Sequence, residues 1–263
     1  MKKEVALVTR ELKGYYRGDF GTVYAVDGVS LSLRKREILG MAGESGCGKS
    51  TLLRLLTGSI EPPLHYEGGE VIIVGDGGEK YSVWNMKPEE LRMKVLGKLI
   101  TYVPQSSFDA LNPTLRIRDF IRDILMEREG KKYSPKQIHE ILADHFAMLG
   151  LEETVLDKYP HELSGGMRQR TLVAISTYLK PSIILLDEPT SALDVSSQKL
   201  LIKLLINLYR KNIIKTMVFS THDIAVLRQL CHRIVIMYAG KIVEIGDTEK
   251  IINDSLHPYT KGL

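Results

Sequence analysis

The chain has 263 residues, 36 Lys and Arg against 32 Asp and Glu, and a formal net charge of +4. That length buries a sizeable core, and 44% hydrophobic with 26% charged residues is ordinary globular composition, which excludes a disordered, collagen-like or disulfide-scaffold chain. The mild basic excess, with a pI near 8.9, permits contact with nucleic acid or an anionic membrane surface and argues for neither.

Met1-Lys2-Lys3-Glu4 is followed by only four apolar residues before Thr9, too few for the core of a signal peptide. The first third then reads as strands: Val5 to Tyr16 and Val23 to Leu33 are rich in Val, Tyr and Leu, punctuated by Gly14, Gly18 and Gly21. Glu37 to Ala42 is a short apolar strand entering a glycine cluster, and Lys49 to Leu56 a helix ended by Gly58. Two more short strands are expected, Val71 to Val74 after the Gly68-Gly69 pair and Leu99 to Val103. From about Leu115 to Leu149 the pattern turns helical, with Ile117, Phe120, Ile121 and Ile124 on one stripe and Ile138, Ile141, Leu142 and Phe146 on another. The charged run Glu127 to Lys132 between them reads as a solvated turn.

The final third alternates again. Ile183 to Leu186, Met217 to Phe219 and Arg233 to Met237 are strands, and Leu201, Leu204, Leu205 and Leu208 form a helical stripe. Alternating strands and helices imply a parallel sheet covered on both faces, interrupted by an inserted block of helices. No apolar run approaches the roughly eighteen residues of a membrane span, so the chain is not expected to cross a bilayer by itself. Cys47 and Cys231 leave no disulfide framework and suit a reducing compartment.

Gly43-Glu44-Ser45-Gly46-Cys47-Gly48-Lys49-Ser50 fits G-x-x-x-x-G-K-[ST] between an expected strand and an expected helix. Glycines there let backbone N–H groups turn inward around phosphate oxygens, and the helix start adds its positive end. Lys49 is placed to reach the β- and γ-phosphates and Ser50 to ligate Mg²⁺. Cys47 reads as a small spacer, with a reactive thiol as the alternative, because a helix N-terminus lowers a thiol pKa. The strand Ile183 to Leu186 ends in Asp187 and Glu188, at the sheet edge where α/β proteins bind ligands. Asp187 there can support the Mg²⁺ shell and Glu188 can polarise an attacking water.

Further segments carry a family resemblance. Leu163-Ser164-Gly165-Gly166-Met167-Arg168-Gln169-Arg170 resembles the signature of ATP-binding-cassette (ABC) ATPases. Ser191-Ala192-Leu193-Asp194 resembles their D-loop, and Ser220-Thr221-His222-Asp223 their switch histidine. Gln105, after Tyr102-Val103-Pro104, stands where the family has its Q-loop glutamine. With the phosphate loop and the two acids, these segments follow the family order and span most of the chain. Ser107-Phe108-Asp109-Ala110-Leu111-Asn112-Pro113, Tyr159-Pro160-His161-Glu162 and His257-Pro258-Tyr259-Thr260 are similar to ATPase subunits of oligopeptide, dipeptide and nickel importers. Many of those continue beyond the last segment, some with cysteines that hold an iron–sulfur cluster. This sequence stops at Leu263, as a truncated or a short member, and no cluster is assigned to it.

The resemblance implies a single α/β domain over residues 1–263: a P-loop NTPase (RecA-like) core, an N-terminal antiparallel β subdomain and an inserted α-helical subdomain. The β subdomain and core take about 1–105 and 173–263, and the helical subdomain about 106–172. ATP would be held by Gly43 through Thr51, with Tyr16 stacked on the adenine and Tyr15 or Tyr24 as alternatives. Mg²⁺ would meet Ser50, Gln105 and Asp187, and hydrolysis would use Glu188, His222 and Gln105. Ser164 with the N–H groups of Gly165 and Gly166 forms a second anion site at a helix start. In family members that site serves the nucleotide of a second ATPase subunit, the same or related, with Asp194 across the interface. The implied function is the ATP-hydrolysing subunit of a peptide importer, or of a nickel or other solute importer. It would lie peripherally on the cytoplasmic side of the membrane. Partners would be two transmembrane permease subunits, docked through the insert, and indirectly an extracellular solute-binding protein, with no nucleic acid. Cassette ATPases of DNA repair usually carry coiled coils or zinc modules between phosphate loop and signature. Only about 115 residues separate Lys49 from Ser164 here, without sustained heptads. Ribosome-associated cassette proteins typically hold two cassettes per chain, and this chain holds one.

Overall fold

A computed structural model describes residues 4–19, 21–105 and 110–263. Strands β1 (Val5–Gly18) and β2 (Gly21–Arg34) form a long antiparallel hairpin, joined by β4 (Leu64–Val74) and β5 (Lys80–Ser82) in the order β2-β1-β4-β5. The second sheet runs β10-β9-β3-β8-β7-β6, from β3 (Ile38–Ala42), β6 (Ile100–Val103), β7 (Ile183–Asp187), β8 (Thr216–Ser220), β9 (Arg233–Tyr238) and β10 (Lys241–Asp247). Its strands are parallel except β10, which pairs antiparallel with β9 at the edge.

Burial on both faces explains the unbroken apolar runs in this sheet. Ile183 and Leu185 of β7 point into one core, shared with helix α1 (Lys49–Thr57) and the antiparallel sheet. Ile184 and Leu186 point into the other, shared with the helices that follow β6. In α1, Leu52, Leu53, Leu55 and Leu56 are fully buried, each contributing roughly 1.5–3 kcal/mol of apolar burial. That side of the helix anchors the loop at its start.

After the short helix α2 (Pro88–Lys94) and β6 come α3 (Ile117–Glu129) and α4 (Pro135–Met148), then α5 (Gly165–Tyr178). The charged run Glu127 to Lys132 is therefore not all turn. Helix α3 continues through Glu129 and stops at Gly130, whose φ of 68° closes it. Ser134 and Gln137 then form a reciprocal capping box that starts α4. Helix α5 runs through residue 172, so a boundary there would cut a continuous helix. Among the described residues these are followed by α6 (Val195–Arg210), α7 (Ile224–Leu230), α8 (Thr248–Asn253) and α9 (Pro258–Gly262).

The expected strand at Val71 to Val74 extends back to Leu64, straight through Gly68-Gly69. A side chain at Gly69 would come within 2.4 Å of the Glu11 carbonyl, and the β1–β4 register shifts at this point. The glycine pair marks a bulge where two backbones meet closely, not a strand boundary. On α6 the buried stripe is Leu201, Ile202, Leu205 and Leu208, with Leu204 only partly buried.

Candidate functional site

The loop between β3 and α1 wraps around its own lysine. Glu44, Ser45 and Gly46 are exposed at its crest, whereas Gly43, Cys47, Gly48 and Lys49 are buried, Lys49 to 4%. A Cβ at Gly43 would lie 2.3 Å from the Met237 carbonyl and one at Gly48 2.1 Å from the Ala25 carbonyl, with φ of 148° and 107°. Only glycine fits at either place. The Lys49 ammonium donates to the carbonyls of Gly43 (2.7 Å) and Glu44 (3.0 Å) and lies 3.5 Å from Glu188 Oε1. Burial pushes the Cys47 thiol up despite the nearby Lys49, which favours the spacer reading over a reactive thiolate. Ser50 is half-buried at the first turn of α1, and Thr51 beside it is buried.

Gln105, Asp187, Glu188 and His222 come from the C-terminal ends of neighbouring parallel strands. Asp187 is 1% exposed and pairs in register with Ser220 on β8. Its two oxygens accept from Ser220 Oγ (2.8 Å) and Tyr102 OH (2.9 Å). Burial next to Asp187 pushes the Tyr102 phenol far up, so it remains a donor. Glu188 follows with φ of 41°, a left-handed conformation that costs a non-glycine residue on the order of 1–3 kcal/mol. Ser220 holds it there, since the Glu188 N–H donates to the Ser220 carbonyl (3.1 Å) and to its Oγ (2.9 Å). Ser191 closes the other side by donating its N–H and hydroxyl to the Glu188 carbonyl.

Three groups converge on the Glu188 carboxylate. Besides Lys49, Gln105 donates from Nε2 to Oε2 at 3.4 Å, and His222 Nδ1 lies 3.6 Å from the same oxygen. Gln105 and His222 are exposed while the Glu188 side chain is 13% exposed, so the carboxylate sits at the floor of an open site. Tyr16 is half-buried on β1, its hydroxyl 3.1 Å from Thr51 Oγ1 on α1. Tyr15 instead donates to Asp27 (2.8 Å) with its ring edge-on to the exposed Tyr24. Tyr16 is thus the tyrosine of the three that touches the phosphate-loop helix.

The signature stands apart from this cluster. Ser164 and Gly165 are exposed at the start of α5, where Ser164 caps the helix by accepting from the Met167 N–H (3.2 Å). The atoms nearest a Cβ at Gly165 and Gly166 belong to Ala192 and Ser197, not to the phosphate loop. Asp194 is exposed and caps α6, accepting from the N–H groups of Ser196 and Ser197 and from Ser197 Oγ. The expected importer segment at Ser107 to Asp109 lies outside the described residues. Two further residues belong to the site, Tyr102 three positions before Gln105 and Ser220 two before His222, and only their nearness to those residues marks them in the sequence. A cavity of about 760 Å³ beside Lys35, Asp76 and Lys215 contains none of the predicted site residues.

The family model for ABC transporters matches residues 26–191, well over half of the chain. The chain belongs to the ABC transporter family. As an ABC ATPase it is 37% identical over 260 residues to the dipeptide transport ATP-binding protein DppD of Caldanaerobacter subterraneus, covering 98% of this chain and 77% of that protein. It is 36% identical over 268 residues to the oligopeptide transport ATP-binding protein AppF of Bacillus subtilis, covering 99% and 78%. A dimeric ATP-binding cassette solved in a post-hydrolysis state with ADP and Pi superposes with a TM-score of 0.79 at 27% identity, over 92% of this chain and 98% of that one. The two-sheet architecture described above is that of an ABC cassette built on a P-loop NTPase core. No described helix is long and apolar enough to cross a membrane.

Proposed function

We propose that this ABC ATPase binds and hydrolyses ATP at the Lys49–Glu188 cluster and drives the import of peptides of the oligopeptide or dipeptide type. The observation that carries the reading is the meeting of Lys49, Gln105 and His222 on one carboxylate, Glu188, held by a left-handed backbone. Lys49 now donates to two carbonyls of its own loop, so a triphosphate would take over an ammonium already aimed across the loop. The loop N–H groups and the start of α1 supply the rest of the cradle. Glu188 orients the attacking water, Gln105 positions it from the side, and His222 donates to the γ-phosphate. Clamping of phosphate charge, more than proton transfer, supplies most of the rate gain.

The donor set suits Mg²⁺, a hard cation that takes oxygen ligands. Ser50 offers a hydroxyl, Gln105 an amide oxygen, and Asp187 a carboxylate whose oxygens each keep a lone pair after accepting from Tyr102 and Ser220. When bound, the ion neutralises charge on the β- and γ-phosphates. Tyr16 carries the adenine, as the tyrosine joined to α1 through Thr51.

Ser164, Gly165 and Gly166 act on the nucleotide of a second cassette subunit, and Asp194 lies at that interface. The reading is supported by the exposure of Ser164, Gly165 and Asp194 and by the dimeric state of the cassette solved with ADP and Pi. Helices α3 and α4, within the insert of about 106–172, dock on two permease subunits at the cytoplasmic face of the membrane, with a solute-binding protein outside. Peptide cargo is supported by the names of the relatives, which are dipeptide and oligopeptide transport proteins. The decisive test measures phosphate release by the purified chain with Mg²⁺ and ATP across a dilution series. Specific activity should fall on dilution, and Glu188→Gln should retain ATP, lose about 10²-fold or more in turnover, and accumulate a dimer. Constant specific activity on dilution would contradict the shared site, and wild-type turnover in the Glu188 variant would remove its assigned role.

A further inference from the structure

The segment His257-Pro258-Tyr259-Thr260 marks the importer resemblance, yet none of the roles above uses it. In the fold it comes back to the phosphate loop. Tyr259 OH accepts the backbone N–H of Glu44 at 2.9 Å, across 215 residues of sequence. Its ring lies against Tyr238, at the end of β9, with centroids 4.6 Å apart.

The segment is itself pinned. Glu244 on β10 accepts the N–H of Leu256 (2.8 Å) and of His257 (3.1 Å) on separate oxygens. His257 Nδ1 then caps α9 by accepting from the Tyr259 N–H (3.2 Å). The same β9–β10 hairpin reaches the loop directly, where the Gly240 N–H donates to the Cys47 carbonyl (3.0 Å). The hairpin thus bears on the loop twice, once by its own backbone and once through Tyr259.

The peptide groups of Glu44 are held on both sides. Its N–H goes to Tyr259, and its carbonyl accepts from Lys49 Nζ (3.0 Å) and more weakly from the Cys47 N–H (3.3 Å). A triphosphate that draws Lys49 away removes the stronger of the carbonyl's partners. The Tyr259 bond is then the shorter of the two hydrogen bonds left on the Glu44 peptide groups, and it keeps the exposed crest of the loop from twisting. Resting on the nucleotide-site reading above, we infer that Tyr259 is a positioning residue for the phosphate loop, and that α9 is thereby coupled to nucleotide occupancy. Coupling of this kind is reciprocal: a nucleotide that fixes the loop also tightens α9.

The test uses the full chain with Tyr259→Phe, which keeps the ring on Tyr238 and removes only the acceptor, and with Glu244→Ala, which frees the segment. Amide hydrogen exchange is read over residues 41–48 and 256–262 without and with ATP, alongside ATP titration and steady-state kinetics. Loss of one neutral hydrogen bond predicts about a three- to tenfold rise in Kd and KM for ATP, with kcat changed less. Exchange in 41–48 should speed up in Tyr259→Phe without nucleotide, and ATP should slow exchange in 256–262 of the wild type only. Unchanged affinity in Tyr259→Phe overturns the inference, even if Glu244→Ala weakens binding, because packing alone would then act. Unchanged exchange in 41–48 overturns it as well. A wild type that binds no ATP would defeat the nucleotide reading itself, whereas the nucleotide-free exchange measurement scores the Tyr259 contact separately.

Discussion

At the start of α1 the chain buries its lysine to 4% exposure, fixes two glycines against carbonyls of other strands, and backs the loop with four buried leucines. At the start of α5 a second glycine pair follows an exposed serine, and the nearest neighbours are Ala192 and Ser197. Both are helix N-termini suited to anions. One is built into a cluster with Glu188, Gln105 and His222; the other faces outward with its cap satisfied by Ser164 alone. On the reading proposed above, the contrast means that the chain completes the binding half of a site and presents the remaining half to a neighbour.

That division is broken most directly by paired substitutions. Lys49→Ala should weaken ATP binding by the monomer at least about tenfold, since a charge-assisted contact to phosphate is lost. Gly165→Asp should leave monomer affinity unaltered and lower turnover by about 10²-fold, because it puts a carboxylate where the proposed dimer brings a partner's phosphates. Titration of dilute protein separates binding from turnover. Equal loss of monomer affinity in both variants would mean that the two helix starts serve one nucleotide within one chain.

A smaller effect sharpens the description of the completed half. Ser220 is fully buried, donates to Asp187 and receives the Glu188 N–H. Ser220→Ala leaves Asp187 with one protein donor and the left-handed Glu188 with one tie fewer. Stability should fall by about 1–3 kcal/mol, the cost of an unsatisfied buried group, and kcat by roughly tenfold. Thermal unfolding and phosphate release measure the two. A stability loss without a change in kcat would reduce Ser220 to a structural role.

Ser220 also shows where the sequence stopped being legible. The phosphate loop could be read because its chemistry is local: glycines, lysine and helix start lie within eight residues. The acids at the end of β7 were readable for the same reason. Their meeting with Gln105 and His222 depends on β6, β7 and β8 being neighbours, a strand order that no spacing in the chain encodes. Family order supplied it. Gly68-Gly69 looked like punctuation because close backbone approach at a bulge uses the same residue as a turn. Strand β10 was not expected, since Lys241, Glu244 and Asp247 on an edge strand leave little of the apolar pattern that identified the buried strands. The Tyr259 contact, 215 residues distant, has no local signature at all.

The smallest expected effect concerns the packing of α4 on α5. His145 on α4 is buried against α5, its Nε2–H donating to the Ala174 carbonyl (3.0 Å) beside Thr177 Oγ1 (3.1 Å). Burial holds its pKa below the usual imidazole range, reinforced by Lys180 and only partly offset by the Ala174 carbonyl. In the unfolded chain the group titrates near about 6.5. Above that pH it is neutral in both states and costs nothing. As pH falls through the unfolded value, the unfolded chain binds a proton that the folded chain refuses, so stability is lost toward the lower folded pKa. His145→Gln keeps a donor for Ala174 and removes the titration. Between about pH 7.5 and about pH 5.5 the wild type should therefore lose more in Tm than the variant, by on the order of a few degrees. Parallel slopes for the two proteins would show that the α4–α5 contact tolerates the protonated ring, and that acid sensitivity arises elsewhere in the cassette.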